Sequence, residues 1–459
     1  MSISSILSIF LQFFGSLCFL LFGMKMMSDG IQKSAGDKLQ AALHLMTGNR
    51  FTGFFTGCFL TMIIQSSGAT TVMVVSFVNA GLIELSKSIA VILGANVGTT
   101  ITAWIVAIFG FNFEISAFAI PLFGIGYLFT VIKKIKNPGL GQAIMGFGIL
   151  FIALQWLSST ISLNSGAMNF LPALQDKGTF SYLIAFVIGI VVTAMIHSSS
   201  AMTAIVITMA YNQILTWEFS AAIIIGSNVG STIDSIMASF GANANAKRTM
   251  LVHVLFNSVT AIVALIFIKP FTQLVDLIVP GVVTENITMH IAMLHSMFNI
   301  IGAVFFMPFI NPLCKLTHLI IKDDKASLPS IYKFEFPERA AHESPTIPVV
   351  SAQMEVRRMA DISVQMFDRL QYGLTDLSGR FVVDHYDNLV REEDYLDQMQ
   401  EQLTKYLLKC AQLDIDDKLR ENINVMISIT GELESMSDDC LSIGVYLKRI
   451  TEKHYVFKK

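Results

Sequence analysis

Long apolar stretches fill the first two thirds of the chain, and short polar patches interrupt several of them. The uninterrupted stretches have the length of membrane-spanning helices, since about 20 apolar residues cross a bilayer. These stretches lie at 5–27, 115–135, 141–161, 249–268 and 287–312. The interrupted stretches form pairs of arms at 51–64 with 69–83 and at 86–95 with 99–110. Such arms are too short to cross about 30 Å of hydrocarbon at about 1.5 Å per residue, so the pattern predicts re-entrant hairpins and broken helices.

The interrupted pattern occurs twice. Residues 65–102 align without a gap to residues 197–234 at an offset of 132, with 14 identities in 38 positions. Unrelated apolar segments share far fewer identities, so the two segments are copies of one repeat. Repeat 1 is predicted at about 51–136 and repeat 2 at about 180–268, joined by a polar link at 162–178. Transporters built from two inverted repeats bind their substrates where helices break near the middle of the membrane.

The first patch of each repeat is rich in hydroxyl and amide groups. We interpret its polar residues as substrate-binding: Gln65, Ser66, Ser67, Thr70 and Thr71 in repeat 1, and His197, Ser198, Ser199, Ser200 and Thr203 in repeat 2. A non-helical patch at membrane depth must line a cavity, because lipid cannot satisfy its backbone groups. A half-helix that starts after a break presents N–H groups to an anion, and one that ends there presents carbonyls to a small cation. The alternative is that these hydroxyls pack closely or bond to the preceding turn.

The second patch of each repeat places glycines around an asparagine. Gly94 and Gly98 in repeat 1, and Gly226 and Gly230 in repeat 2, are predicted to permit an unwound backbone between short helices. We interpret the polar residues here as sodium-binding or substrate-supporting: Asn96, Thr99, Thr100, Asn228, Ser231, Thr232 and Asp234. Each asparagine amide can cap exposed carbonyls or coordinate substrate, and both roles stay open.

The paired Gln-Ser-Ser-type patches, the paired Gly-Ala/Ser-Asn-Val-Gly-Thr/Ser-Thr patches and the ungapped repeat resemble the type II sodium/phosphate cotransporters. They are most similar to the bacterial branch that carries a PhoU-like helical domain. The resemblance implies sodium-coupled movement of inorganic phosphate by alternating access, with Na⁺ as the co-transported ion and no organic cofactor. Composition and periodicity alone indicate only a secondary transporter of a small polar or anionic solute. A further doubled phrase of the family, His253 to Asn257 and His295 to Asn299, is expected to cap or cross-link helices.

Three residues depart from the pattern. The family's usual first patch is Gln-Ser-Ser-Ser, whereas this chain has Gly68 in repeat 1 and His197 in repeat 2. Asp234 stands where repeat 1 has Thr102. An acidic group at membrane depth is functional by default, either as a sodium ligand or as a proton carrier, and the alternative is a pair with a lysine such as Lys247. The imidazole at 197 either becomes protonated beside phosphate or stays neutral as a glutamine mimic.

Charge separates the chain into a membrane part and a soluble part. Residues 1–320 contain 13 Lys and Arg against 9 Asp and Glu, a net charge of +4, while residues 321–459 contain 18 against 25, a net charge of −7. We expect a transmembrane transport domain over 1–320, a proline-containing linker over 321–350 and a PhoU-like cytosolic helical domain over 351–459. The basic turn at 133–136 is a candidate cytoplasmic loop, so we expect a multi-pass protein of the inner membrane with a cytoplasmic C-terminal domain.

The tail repeats apolar residues at a spacing of three to four, which is typical of three or four antiparallel amphipathic helices. PhoU-like domains hold metal clusters with acidic residues four apart, and Glu393 with Asp397 and Glu434 with Asp438 match that spacing. Acidic pairs on a solvated helix are also common without a metal. A regulatory or docking role is therefore the broader expectation for the tail.

The predicted fold class is an all-α polytopic membrane protein with two inverted repeats and a C-terminal soluble helical bundle. Rival functions are transport of another oxyanion, coupling to H⁺, or phosphate sensing with signalling through the tail. We do not expect an enzyme, because the sequence has no nucleophile–base pair, phosphate-binding Gly-Lys-Ser/Thr motif or zinc spacing. The expected partners are phosphate, Na⁺ and the lipid bilayer, and the mildly acidic tail argues against nucleic acid. A homodimer and a cytosolic partner of the tail stay open.

Overall fold

The computed structural model describes residues 3–35, 49–79, 83–110, 115–132, 137–163, 174–322, 332–334, 336, 345–375, 380–413 and 415–453. Every regular element in those ranges is helical. The chain forms two compact units, of which the first ends at Lys322 and the second contains the helices of the tail. The predicted basic turn at 133–136, most of the predicted link between the repeats and most of the predicted linker at 321–350 lie outside the described residues.

The first unit is built from helices of very different lengths. They are α1 (Ile3–Ala35), α2 (Arg50–Ile64), α3 (Ser67–Asn79), α4 (Leu85–Thr99), α5 (Ile101–Phe109), α6 (Ile115–Val131), α7 (Pro138–Leu163), α8 (Thr179–Ile196), α9 (Ser199–Tyr211), α10 (Trp217–Gly230), α11 (Ile233–Ala238), α12 (Ala244–Ile266), α13 (Ile268–Ile278), α14 (Ile287–Phe306) and α15 (Ile310–Ile320). A 3₁₀ turn, Met307–Phe309, joins α14 to α15.

Seven segments among the described residues are long and apolar enough to cross a membrane. They lie in α1, α4 with α5, α7, α8, α10 with α11, α12, and α14 with α15. Large apolar side chains are exposed along one face of α2 and along the equivalent face of α8, at Phe51, Phe55, Phe59, Leu183, Val187 and Val191. Apolar faces of this size are stable against lipid rather than against water. The predicted all-α, multi-pass membrane fold is confirmed.

Each repeat opens with two helices separated by a break of two residues, α2 and α3 in repeat 1 and α8 and α9 in repeat 2. Gln65 and His197 begin the two breaks in the left-handed conformation, with φ of 56° and 58°. Their N–H groups donate to the carbonyls of Thr61 and Thr193, both at 2.7 Å, which ends each helix in the same way. The helices α2 and α3 have 15 and 13 residues, and neither is long enough to span the membrane alone. With 18 residues, α8 is longer than its counterpart α2.

The second break of each repeat lies one turn later than predicted. Gly94 and Gly98 are inside α4, and the helix stops only at Thr100; the equivalent glycines of repeat 2 lie inside α10. The prediction that these glycines unwind the backbone is therefore wrong. Their role is close approach, because a Cβ at Gly94 would overlap the carbonyl oxygen of Phe54. The equivalent overlap, of Gly226 with the carbonyl of Phe186, occurs in repeat 2, so both repeats need glycine where two helices cross.

The last helix of repeat 2, α12, and the later helix α14 support the broken helix of repeat 1. Ile89 and Leu93 of α4 pack with Val252 and Phe256 of α12 and with Phe306 of α14 in one buried apolar cluster. Close packing of this kind fixes side chains in single rotamers and resists small displacements. The polar residues at the end of α4 are consequently held on a rigid element.

The second unit is a helical bundle made of α16 (Thr346–Thr375), α17 (Arg380–Asp384), α18 (Tyr386–Ala411) and α19 (Asp417–Glu452). Its core includes Met359, Met366 and Met399, all fully buried. Tyr332, Phe334 and Phe336, from the middle of the predicted linker, pack on this bundle. The main-chain N–H of Tyr332 donates to Gln398 Oε1 at 2.8 Å, and the Tyr332 hydroxyl donates to the buried carboxylate of Glu355 at 2.9 Å.

Candidate functional site

The helices that follow the first breaks begin with the same cap. Ser66 Oγ accepts from the N–H of Ala69 at 3.1 Å, and Ser198 Oγ accepts from the N–H of Ala201 at 3.2 Å. Serine favours this position because its oxygen satisfies one N–H of the first turn. The other N–H groups of a first turn have no partner within their own helix and can bind an anion. The starts of α3 and α9 are therefore equivalent anion-binding positions.

Threonine hydroxyls of the first patches bond back to their own helices. Thr70, Thr71 and Thr203 each donate to the carbonyl four residues earlier, at 3.0, 2.7 and 2.8 Å. All three are fully buried. A hydroxyl whose hydrogen is donated in this way presents oxygen lone pairs to any further group. These threonines therefore suit a cation better than an anion.

The second patches use their polar hydrogens in the same way. Asn96 and Asn228 each donate from Nδ2 to the carbonyl four residues earlier, both at 2.9 Å. The hydroxyls of the patches also donate to carbonyls three or four residues earlier, at Thr99, Thr100, Ser231 and Thr232. Asn228 Oδ1 accepts from Asn299 Nδ2 at 3.3 Å, which ties α10 to α14. The amide hydrogens thus bond within their own helices, and the Asn228 oxygen accepts from a neighbouring helix.

Within each repeat the two patches contact each other through the same pair of positions. In repeat 1 the hydroxyl of Thr102 donates to Gln65 Oε1 at 2.8 Å. In repeat 2, His197 Nδ1 lies 2.8 Å from Asp234 Oδ1. The Asp234 side chain is 6% exposed and that of His197 is 31% exposed. One repeat therefore closes this contact with a neutral hydroxyl–amide pair and the other with an imidazole–carboxylate pair.

The repeats also contact each other through equivalent positions. Ser200 Oγ donates to Thr102 Oγ1 at 3.3 Å. In the reciprocal contact, a Cβ on Gly68 would overlap Asp234 Oδ2. The first patch of each repeat thus lies against the second patch of the other. We call these four patches, residues 65–71, 96–102, 197–203 and 228–234, the central cluster.

Two residues of this arrangement carried no independent signal in the sequence. The sequence marks Thr102 only as the counterpart of Asp234, yet Thr102 bonds to Gln65 of its own repeat and to Ser200 of the other. No sequence pattern marks Ser235, whose hydroxyl lies 2.9 Å from His253 Nδ1. The equal spacing of 37 residues between Gln65 and Thr102 and between the corresponding residues of repeat 2 is the pattern from which Thr102 was detectable.

The doubled His–Asn phrase connects helices around the central cluster. His253 joins α12 to α11 through Ser235, and Asn299 joins α14 to α10. Both ring nitrogens of His295 are buried without a hydrogen-bond partner among the described residues. Repeat 1 has Ala103 at the position equivalent to Ser235, so it offers no hydroxyl there. These contacts agree with the expectation that the phrase cross-links helices.

Comparison with known proteins identifies the family. The family model described as Na⁺/Pi-cotransporter matches residues 19–159 and 161–279, which is more than half of the chain. The chain belongs to the Na⁺/Pi-cotransporter family. The resemblance inferred from the doubled patches is thereby confirmed.

Individual relatives support the same family. YqeW of Bacillus subtilis, described as uncharacterized, is 31% identical over 276 residues, which cover 59% of this chain and 87% of YqeW. YjbB of Salmonella typhimurium, whose name refers to inorganic phosphate export, is 26% identical over 370 residues, 79% of this chain and 64% of YjbB. The sodium-dependent phosphate transport protein 2A of Ovis aries is 40% identical over 76 residues, 17% of this chain and 12% of that protein. No solved structure matches the chain significantly.

The acidic residues of the tail come together only in part. Glu393, Asp397 and Asp438 each place a carboxylate oxygen within 4.8 Å of the others, whereas Glu434 is not part of that group. Burial raises the pKa of Glu393, and repulsion from Asp397 and Asp438 raises that pKa further. Burial and then the Asp438 charge raise the pKa of Asp397. Three carboxylates suit a hard divalent cation, and the metal expectation for this group stays a prediction.

Proposed function

We propose that this protein transports inorganic phosphate across the cell membrane, coupled to sodium, with the central cluster as the binding site. The observation that carries the proposal is the reciprocal contact between the repeats, through Ser200 with Thr102 and through Gly68 with Asp234. This contact brings the starts of α3 and α9 to one cluster, so that two anion-binding helix ends can serve one phosphate.

The hydrogen-bond donors of the cluster bind the anion, and its oxygen acceptors bind the cation. The N–H groups at the starts of α3 and α9, with Ser67 and Ser199 as their first residues, bind the phosphate. The oxygens of Thr71, Thr203 and Asp234 bind sodium, because their lone pairs face away from the bonds they already make.

Coupling follows from the charges of the two substrates. A doubly charged phosphate is costly to bury among neutral hydroxyls unless cations accompany it. Each substrate therefore raises the affinity for the other by the same factor. Transport occurs when the loaded cluster is exposed to each side of the membrane in turn.

The relatives support phosphate as the substrate, and their names describe both export and sodium-dependent transport. A coupled carrier runs in either direction, so the sodium and phosphate gradients set the direction in the cell. We further propose that the membrane is the inner membrane and that the tail is cytoplasmic and regulatory. The positive charge of the turn at 133–136 supports that orientation.

Uptake of labelled phosphate into proteoliposomes tests the proposal. We expect accumulation with an inward sodium gradient and none when choline replaces sodium. Arsenate, which has the same shape and charge, competes, and sulfate competes less. Equal accumulation driven by a proton gradient without sodium would instead establish the rival, proton-coupled function.

A further inference from the structure

Three unusual residues of the central cluster are in contact with one another. Gly68 and His197 depart from the family's first patch, and Asp234 departs from its counterpart Thr102. The carboxylate of Asp234 joins the other two, because its Oδ1 lies 2.8 Å from His197 Nδ1 and its Oδ2 occupies the space that a side chain at position 68 would enter. The three departures from the pattern therefore form one structural unit, although position 68 is 166 residues from position 234.

The symmetry-related positions show what the unit replaces. Gln65, Thr102 and Ser200 are the equivalents of His197, Asp234 and Gly68, and they form a neutral chain of two hydrogen bonds. Here a hydroxyl at position 200 faces a hydroxyl at position 102, and both side chains fit. A carboxylate in the place of the second hydroxyl lies where the Cβ of a residue other than glycine would be, so a side chain at position 68 would shift it.

We propose that Gly68, His197 and Asp234 form a sodium-binding unit, in which Asp234 is the ligand and the other two are positioning residues. The proposal rests on the proposed function and assigns one co-transported ion to the repeat 2 half of the cluster. A carboxylate that is 6% exposed at membrane depth favours a cation beside it. The hydroxyl oxygens of the adjacent first patches supply the neutral ligands that complete the shell of a hard cation.

Each positioning residue has a separate task. His197 fixes one carboxylate oxygen and so sets the orientation of the group. Gly68 leaves the volume that the other oxygen occupies, so any side chain there displaces the carboxylate. Because the carboxylate carries its own charge, this half of the cluster holds sodium without phosphate, whereas the neutral half depends on the anion.

Sodium-dependent thermal stabilisation of the purified full-length protein measures this site directly. Sodium chloride replaces choline chloride at constant ionic strength, and no phosphate is present. A ligand at concentration c that binds only the folded state raises the free energy of unfolding by RT ln(1 + c/Kd), so the dependence of the melting temperature on sodium concentration yields the half-saturating concentration, Kd. We expect the half-saturating sodium concentration to rise about tenfold or more in Asp234→Asn and in Gly68→Ala, the fold-change that corresponds to loss of one charged contact. His197→Gln, which keeps a hydrogen-bond donor, is expected to lie between these variants and the wild type.

Two further variants separate positioning from folding. Gly68→Ala is expected to have no additional effect in an Asp234→Ala background, because residues in one contact are not additive. Gly124→Ala is the matched control, since a Cβ there meets no atom within 4 Å. The triple variant Gly68→Ser, His197→Gln, Asp234→Thr rebuilds the neutral chain of repeat 1, so it is expected to fold and to lose the stabilisation by sodium.

The unit is wrong if Gly68→Ala and Asp234→Asn keep the half-saturating sodium concentration of the wild type, if Gly68→Ala raises that concentration further in the Asp234→Ala background, or if sodium does not stabilise the wild type. Phosphate uptake into proteoliposomes gives an independent answer on the proposed function. If sodium-driven phosphate uptake is unchanged in Asp234→Asn, the proposed transport function stands and the sodium-binding unit is wrong. If sodium binding depends on Asp234 but the protein moves no phosphate, the sodium-binding unit stands and the proposed transport function is wrong.

Discussion

Gln65 and His197 show how single residues set the position of a helix break. A left-handed conformation costs a residue other than glycine roughly 1–2 kcal/mol. Both residues adopt it, and the cost is offset by the N–H bond to the preceding helix and by the serine that caps the next one. The polar patch predicted this break correctly, because its residues are poor in helix interiors and favourable at caps.

Thr102 is one of the residues through which repeat 1 contacts repeat 2. We expect Thr102→Val to raise the phosphate concentration for half-maximal uptake about tenfold, because Gln65 Oε1 and Ser200 Oγ each lose a partner at about 1–3 kcal/mol. The change keeps the shape of the side chain, so the protein is expected to fold. Uptake kinetics in proteoliposomes measure the effect.

Thr260→Val is the control for this substitution. The hydroxyl of Thr260 donates only within its own helix, to the Phe256 carbonyl at 2.7 Å, and the residue lies outside the central cluster. Equal uptake kinetics in the two variants would show that the contact between the repeats does not matter for transport.

Glycines determine how closely the helices cross, but the sequence alone does not show which glycines have this role. A glycine permits either a flexible backbone or a close approach of two helices. The pattern around Gly94 favours a flexible backbone, whereas the structure shows a close approach. The position of the break at Thr100 depends on packing against other helices, which single-sequence patterns do not contain. The offset of 132 residues was sufficient to predict two equivalent halves but not which positions face each other.

Gly57→Ala and Gly189→Ala test the crossings in the two repeats. A Cβ at Gly57 would overlap the carbonyl oxygen of Val91, and one at Gly189 would overlap that of Ile223. We expect each variant to lose at least about 1–3 kcal/mol of stability, as overpacked interiors do. Thermal unfolding in detergent measures the loss, with Gly124→Ala as the neutral control. Wild-type stability of both variants would contradict the crossing geometry.

The acidic group of the tail makes the stability of that element dependent on pH. The raised pKa values of Glu393 and Asp397 mean that the folded tail holds protons more tightly than the unfolded chain. Their favourable contribution is present below about pH 4, the range of the unfolded pKa values, and is lost as the pH rises through the folded values. We expect Asp438→Asn, which removes a repelling charge, to stabilise α18 and α19 at neutral pH and not at about pH 3.5.

Hydrogen exchange of the two tail helices in the full-length protein follows this effect locally. Glu421→Gln is a suitable control, since it removes an exposed carboxylate of α19 that lies outside the acidic group. Slower exchange in Asp438→Asn at both pH values would assign its effect to something other than the acidic group.

At the scale of the whole molecule, the duplicated sequence produces one polar cluster instead of two. The first patch of each repeat lies against the second patch of the other, so neither repeat completes a cluster alone. Three residues break the equivalence and give one half a carboxylate. The sequence predicted the duplication, the first break of each repeat and the family, whereas the contact of Gly68 with Asp234 has no local signature because it joins distant parts of the chain.

The stoichiometry of phosphate binding tests this account most directly. Binding of labelled phosphate to the purified protein in saturating sodium is compared for the wild type, Ser67→Ala and Ser199→Ala, the first residues of α3 and α9. The account predicts one phosphate per chain and weaker binding in both variants, because both repeats contribute to one site. Two phosphates per chain, or an effect confined to one variant, would contradict it.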